Sequence, residues 1–198
     1  MNEERGIRLQ ANALVVYESM FGSTQAIAHA VAAGLRSGFA VTEVEVSSAP
    51  TTLPLGLDLL VVAGPTHAFG LSRPSTRASA AEQATCPLVS QGNGVREWLA
   101  ELAPAIDCGA AAIDTRQGPH FVPGSAARGI EARLRHLGYR MVATAESFWV
   151  TKEPGGLVPG ELQRAERWGR DLADLVLRDH PARSWSHEQS ATPEGAVS

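Results

Sequence analysis

Three hydroxyls and a glycine are crowded into Ser19-Met20-Phe21-Gly22-Ser23-Thr24, directly ahead of a segment with helical period. Such a loop can turn backbone N–H groups and hydroxyls toward one anion, helped by the positive end of the helix dipole. It carries no lysine. A nucleotide P-loop needs Gly-Lys-Ser/Thr to hold β and γ phosphates, and the Gly-x-Gly-x-x-Gly dinucleotide fingerprint is missing as well. The chemistry on offer is the grip of a compact monophosphate. A plainer reading stays open, in which Ser23 or Thr24 only caps a helix.

Other chemistry finds little support. Ser19 has no histidine at a fixed neighbouring spacing and lies on no Gly-x-Ser-x-Gly elbow, so a hydrolase triad has no sequence support. Cys86 and Cys108 stand outside any Cys-x-x-Cys pattern; they read as an inert loop residue and a packed strand residue, and no metal site is expected. His29 falls off the apolar stripe of its helix and reads as solvated.

The elements that must hold the loop follow from the apolar pattern. Ala13–Tyr17 is a short β-branched run, a buried strand. Ile27, Ala30, Val31, Gly34 and Leu35 then repeat at helical spacing, with Gly38 as a stop. Val41–Val46 alternates and Leu57–Ala63 is nearly all apolar; both read as strands, with at most a turn or two of helix between them. From Gly64 to Gly94 there is no sustained period, and this long excursion is expected to be functional, with Ser72–Gly92 a lid or an interface. Val95, Trp98, Leu99 and Leu102 mark a helix, Cys108–Ile113 a strand, Ile130, Leu134 and Leu137 another helix, and Tyr139–Val150 one or two strand pieces. Leu162, Ala165, Trp168, Leu172, Leu175 and Val176 form the apolar face of a closing helix. Trp98, Trp149, Trp168 and Trp185 read mostly as core. Residues 1–10 are an expected extension, 11–180 the domain, and 181–198 a tail too polar to bury apolar surface.

Apolar strands alternating with helices imply an α/β protein of three layers, with a doubly wound parallel sheet between helices. Ligands in such sheets sit outside the carboxyl ends of the strands, which directs attention to the loops after the first, third and fourth apolar runs. Val15 to Thr24, continued by Ala28 and Val31, resembles the flavodoxin signature, in which a strand runs into a Ser/Thr-rich loop that holds the phosphate of FMN. The resemblance implies a five-stranded sheet of order 2-1-3-4-5 and covers residues 11–178. It places Ser19, Gly22, Ser23 and Thr24 on the phosphate, with the amides of Met20 and Phe21 helping.

The second loop, Gly64-Pro65-Thr66-His67-Ala68-Phe69-Gly70, is similar to the loop that lies along the isoalloxazine ring in flavodoxin-like proteins, the quinone oxidoreductases among them. By that resemblance Pro65, Thr66, His67, Ala68, Phe69 and Gly70 are cofactor-binding candidates, with Phe69 the foremost stacking residue and His67 next. An aromatic face on the ring adds about 1 kcal/mol beyond area burial. The third loop, Asp114-Thr115-Arg116-Gln117-Gly118-Pro119-His120-Phe121, stands where the family reads the pyrimidine edge through its backbone, which gives Asp114, Thr115, Arg116 and Gly118. A cation such as Arg116 near the ring would favour the anionic reduced flavin.

The composition of the 198 residues bounds the function: 44% are apolar, 19% charged, and the formal net charge is −4. That suits one folded domain and lacks the basic footprint of a nucleic-acid binder. The acidic start and the lack of a long apolar run point to no membrane partner and a cytoplasmic, reducing setting. The reading is an FMN-binding redox protein whose partner is a redox protein, a small quinone or NAD(P)H, with a homodimer as a further expectation. Carrier and enzyme stay unseparated, and no side chain is assigned a catalytic role. The alternative is a flavin-free flavodoxin-like binding or regulatory module, suggested by the atypical third loop and the bulky Met20-Phe21 pair. A phosphoacceptor receiver domain is rejected, since Ala63-Gly64 stands where its aspartate belongs.

Overall fold

The structure, a computed structural model, describes residues 10–84, 87–105, 107–118 and 124–179. The proposed tail at 181–198, all but Gln10 of the proposed extension at 1–10, and Cys86, Pro119, His120, Phe121 and Trp185 lie outside these residues. Strand β1 (Ala11–Tyr17) leads into helix α1 (Ser23–Leu35), then β2 (Phe39–Glu45), β3 (Leu59–His67) and the short β4 (Gly70–Leu71). Helices α2 (Pro74–Gln83) and α3 (Val95–Glu101) precede β5 (Gly109–Gln117). Helix α4 (Ala126–His136), strands β6 (Arg140–Met141) and β7 (Glu146–Val150), and α5 (Glu161–Asp179) complete the chain.

The sheet runs β2-β1-β3-β5, with β6 and β7 pairing in turn with the early and late halves of β5. Every pairing is parallel except that of β4 with β3. Counting β6 and β7 as one interrupted strand, the order is 2-1-3-4-5, a doubly wound α/β sheet. Strand residues alternate between two cores. Val15, Val61 and Ile113 face α1 and α5, while Val16, Val62 and Ala112 face α3 and α4. Both faces of the central strands are thus buried, which is why β1, β3 and β5 are almost continuously apolar.

Helices α1 and α5 touch backbone to backbone. A Cβ on Gly34 would lie 2.1 Å from the Glu166 carbonyl oxygen, and one on Gly169 would lie 2.3 Å from that of Val31. The contact is narrower than the apolar stripe of α5. Ala165, Leu172 and Val176 are buried, whereas Leu162 and Leu175 are exposed and not part of the core.

Three further expectations are corrected. The 64–94 excursion holds a helix, α2, begun by Pro74 at its first position and by the Arg73 amide on the Thr76 hydroxyl at 2.9 Å. Its alanine-rich run has no apolar stripe and buries Ala80, so periodicity gives no signal for it. Residues 64–67 and 114–117 continue β3 and β5, because Gly64 and Pro65 pair with Asp114 and Thr115, and β7 pairs with Ile113–Gln117. Trp149 is not core: it is half-buried, with the Arg116 guanidinium 5.5 Å from its ring centre.

Candidate functional site

The carboxyl ends of β1, β3, β5 and β7 surround a cavity of about 510 Å³. From the first loop it is lined by Ser19, Met20, Phe21, Ser23 and Thr24, and from the end of β3 by Pro65, Thr66, His67, Ala68 and Phe69. Thr115, Arg116 and Gln117 contribute from β5, and Val150 to Gly155 from the segment leading to α5.

The first loop is built to leave α1 open at its start. The Gly22 amide donates to the Ser19 hydroxyl at 3.1 Å, and Gly22 takes φ 94° as the residue preceding the helix. No side chain caps α1. A helix leaves its first amides without intrahelical acceptors, so an external acceptor is wanted here, and the cavity lies against Ser23 and Thr24. This removes the plainer reading in which Ser23 or Thr24 caps α1. Thr24 instead bonds Thr115, hydroxyl to hydroxyl, at 2.7 Å.

The outer side of this loop is stitched to the excursion. Ser19 donates its amide to the Ser90 hydroxyl at 2.9 Å and accepts from the Ser90 amide at 2.8 Å, while Val89 donates to the Met20 carbonyl at 3.1 Å. Just before it, the buried Glu18 carboxylate accepts from the Ser72 hydroxyl at 2.5 Å and from the Val95 amide at 2.8 Å. Burial raises the Glu18 carboxyl above its ordinary value, opposed by these two donors and by Arg77. The excursion therefore backs the phosphate-type loop.

The second segment ends in a two-residue hairpin turn. Ala68 and Phe69 have φ of 44° and 74°, joining the paired His67 and Gly70. Such turns favour asparagine and glycine, and a left-handed bulky residue costs about 1–3 kcal/mol. The strain presents the Phe69 ring, 61% exposed, at the cavity. Gly124 supports the turn from outside. Its φ is 88°, and a Cβ there would lie 1.8 Å from the Phe69 carbonyl oxygen. His67 is held below its usual value by burial and then by Arg77, so a neutral imidazole lines the cavity near neutral pH.

Asp114 is placed elsewhere. It is fully buried, and its Oδ2 accepts from the Thr66 hydroxyl at 2.8 Å, the Ser125 hydroxyl at 2.6 Å and the Ala127 amide at 2.9 Å. Its carboxylate anchors the start of α4 to β3, where Thr66 also accepts from the Ala126 amide at 2.8 Å. Gly22, Gly70 and Gly118 likewise stand outside the lining, shaping the chain around it. The segment Thr151 to Gly155 was missed by motif reading. Its signal is positional, since it follows the carboxyl end of the last strand piece, where ligands of such sheets lie. Lys152 there is exposed, and the Thr151 hydroxyl bonds Glu153 at 2.6 Å, holding that carboxyl below its usual value.

Cys108 is buried, with its thiol pushed up to about 12 chiefly by desolvation, which makes it unreactive packing. His29 is exposed and pairs with Glu43. No metal-binding group of three or more His, Cys, Asp or Glu occurs among the described residues. No described helix is long and apolar enough to cross a membrane.

The flavodoxin family model matches residues 15–86. Among solved structures, a flavodoxin from the domain Archaea superposes with a TM-score of 0.54 at 19% identity, covering 83% of this chain and 98% of that one. Flavodoxin 2 of Bacillus cereus gives 0.59 at 15% identity, covering 83% and 99%. The Streptococcus pneumoniae TIGR4 flavodoxin gives 0.58 at 20% identity, also covering 83% and 99%. No curated protein matches. In sequence match and in fold, the chain is flavodoxin-like.

Proposed function

We propose that this flavodoxin-like chain, as a single domain over residues 11–180, binds FMN in the 510 Å³ cavity and serves as a one-site electron-transfer protein. The observation that carries this reading is the uncapped start of α1, which shares that cavity with the hydroxyls of Ser19, Ser23 and Thr24. Amides, hydroxyls and the helix dipole suit a phosphomonoester held without a lysine. Two exposed aromatics in the same concavity, Phe21 at 38% and Phe69 at 61%, supply apolar surface that a planar ring would cover.

In this reading Ser19, Ser23 and Thr24, with the amides of Met20 and Phe21, bind the phosphate, and Gly22 shapes the turn. Thr66, His67, Ala68 and Phe69 lie along the ring, while Thr115, Arg116 and the backbone toward Gly118 meet its edge. Asp114, Pro65 and Gly70 hold those residues in place. Bound FMN would supply the redox chemistry; the chain binds it, orients it and sets its surroundings. A neutral His67 leaves the electrostatics to Arg116 and Lys152, with Glu153 as the opposing charge in the wall; the two cations favour an anionic reduced state.

Titration of the flavin-free chain with FMN and with riboflavin, followed by flavin fluorescence, tests the reading. FMN is expected to bind at least about tenfold more tightly, since riboflavin leaves the phosphate donors unused. A purified protein without flavin absorbance that takes up no FMN at micromolar concentration would instead be the flavin-free module.

A further inference from the structure

The face around the cavity is cationic, although the chain as a whole is acidic. Every helix that follows a parallel strand begins at this edge of the sheet, so the positive ends of several helix dipoles converge there. The side chains add to that field. Arg73 precedes α2, Arg96 lies in the first turn of α3 with its guanidinium on the Leu71 and Ser72 carbonyls at 2.8 and 2.9 Å, and Arg128 lies in the first turn of α4. Lys152 stands in the cavity wall. All four are exposed, and none contacts a carboxylate among the described residues.

The carboxylates brought to the same edge are withdrawn from solvent or neutralised. Glu18 and Asp114 are buried, Glu97 pairs with Arg77 at 3.1 Å, Glu161 pairs with Arg164 at 2.7 Å, and Glu45 turns back onto the Ser47 amide at 2.9 Å. Glu153, which Thr151 holds, and Glu82 on α2 are exposed acids against these four cations. Phe21 and Phe69 are exposed in the cavity on the same edge of the sheet. An apolar centre within a charged rim is the anatomy of a protein contact that forms and parts quickly.

We propose that this face docks an acidic redox protein, with Arg73, Arg96, Arg128 and Lys152 steering it to the mouth of the cavity. The inference rests on the electron-transfer reading and names its partner class. The exchange would be a one-electron transfer, the partner's reduced iron–sulfur centre being oxidised by one electron and bound FMN taking that electron up, with Arg116 and Lys152 beside the added negative charge.

The test uses the full chain loaded with FMN, with loading checked by absorbance. Stopped-flow mixing with a reduced acidic [2Fe–2S] ferredoxin should give a rate constant that falls about tenfold between low salt and about 0.3 M salt. The double variant Arg73→Glu/Arg128→Glu, whose positions lie outside the cavity lining, should slow that reaction about tenfold at low salt with an unchanged flavin spectrum. The same variant, photoreduced, should react faster than wild type with cytochrome c, a basic protein. A ferredoxin rate indifferent to salt and to the double variant overturns the proposal. So does ferredoxin displaced mole for mole by a nicotinamide dinucleotide phosphate, which would make the cationic rim a small-anion site. Should the chain take up no FMN, calorimetric binding of ferredoxin to the flavin-free protein separates the two claims. Salt-sensitive binding keeps the surface and discards the cofactor; its absence discards both.

Discussion

The hydroxyls of Thr24 and Thr115 meet at 2.7 Å across 91 positions of sequence, and the contact is buried. It ties the first turn of α1 to the end of β5 at the floor of the cavity, so the two segments that would hold opposite parts of a ligand share one bond. Replacing Thr115 with valine leaves the Thr24 hydroxyl buried without this partner. We expect a loss of about 1–2 kcal/mol in urea unfolding of the flavin-free chain. We also expect weaker FMN binding in fluorescence titration, and an affinity equal to wild type would show that the two segments act independently.

Gly124 is a position where backbone conformation and space demand glycine together. Alanine there needs a left-handed φ and places its Cβ within 1.8 Å of the Phe69 carbonyl oxygen, so the Ala68–Phe69 turn must move. The expected outcome for Gly124→Ala is a drop of about tenfold or more in affinity for FMN and for riboflavin alike, because both share the ring contacts and the phosphate grip is untouched. Unchanged quenching of flavin fluorescence would mean that the turn does not touch the ring.

The α1–α5 crossing predicts a purely structural effect. Gly169→Ala inserts a methyl 2.3 Å from the Val31 carbonyl oxygen and forces the helices apart. Such overpacking should cost about 1–3 kcal/mol and lower the unfolding midpoint. The thermal transition checks it. The ratio of FMN to riboflavin affinity should stay as in wild type, because the crossing lies away from the cavity lining.

Glu18 gives a pH signature. Its folded value is raised by burial, so between the ordinary glutamate value and the raised one the folded protein holds a proton that the unfolded chain has released. Stability therefore falls as pH rises through that window. His67 works with the opposite slope: its folded value is lowered, the unfolded chain binds the extra proton, and stability rises as pH climbs toward the ordinary histidine value. Glu18→Gln should remove the first slope and His67→Gln the second. Chemical denaturation across mildly acid pH reads both, and a wild-type slope persisting in the glutamine variant would reassign the titration to other groups.

Burial demands and local geometry made much of this fold legible from the chain alone. β1, the core of β3 and the start of β5 are nearly all apolar because both faces are covered, and that pattern needs no knowledge of neighbours. The Ser19–Thr24 loop is likewise local, since its residue types put hydroxyls ahead of a helix start that no side chain caps. Other features exist only through partners distant in sequence. Residues 64–67 and 114–117 are polar or conformationally awkward for strands, and they extend because β4 and β7 supply the ladder. Helix α2 is held by its start and by the excursion around it, with no stripe to betray it. Asp114 reads as a ligand-facing acid in a loop, yet its three donors come from β3 and the start of α4. The wall at Thr151–Gly155 and the cationic rim were invisible for one reason. A concave surface and a charge field are sums over segments that only the packing of the sheet brings to one edge.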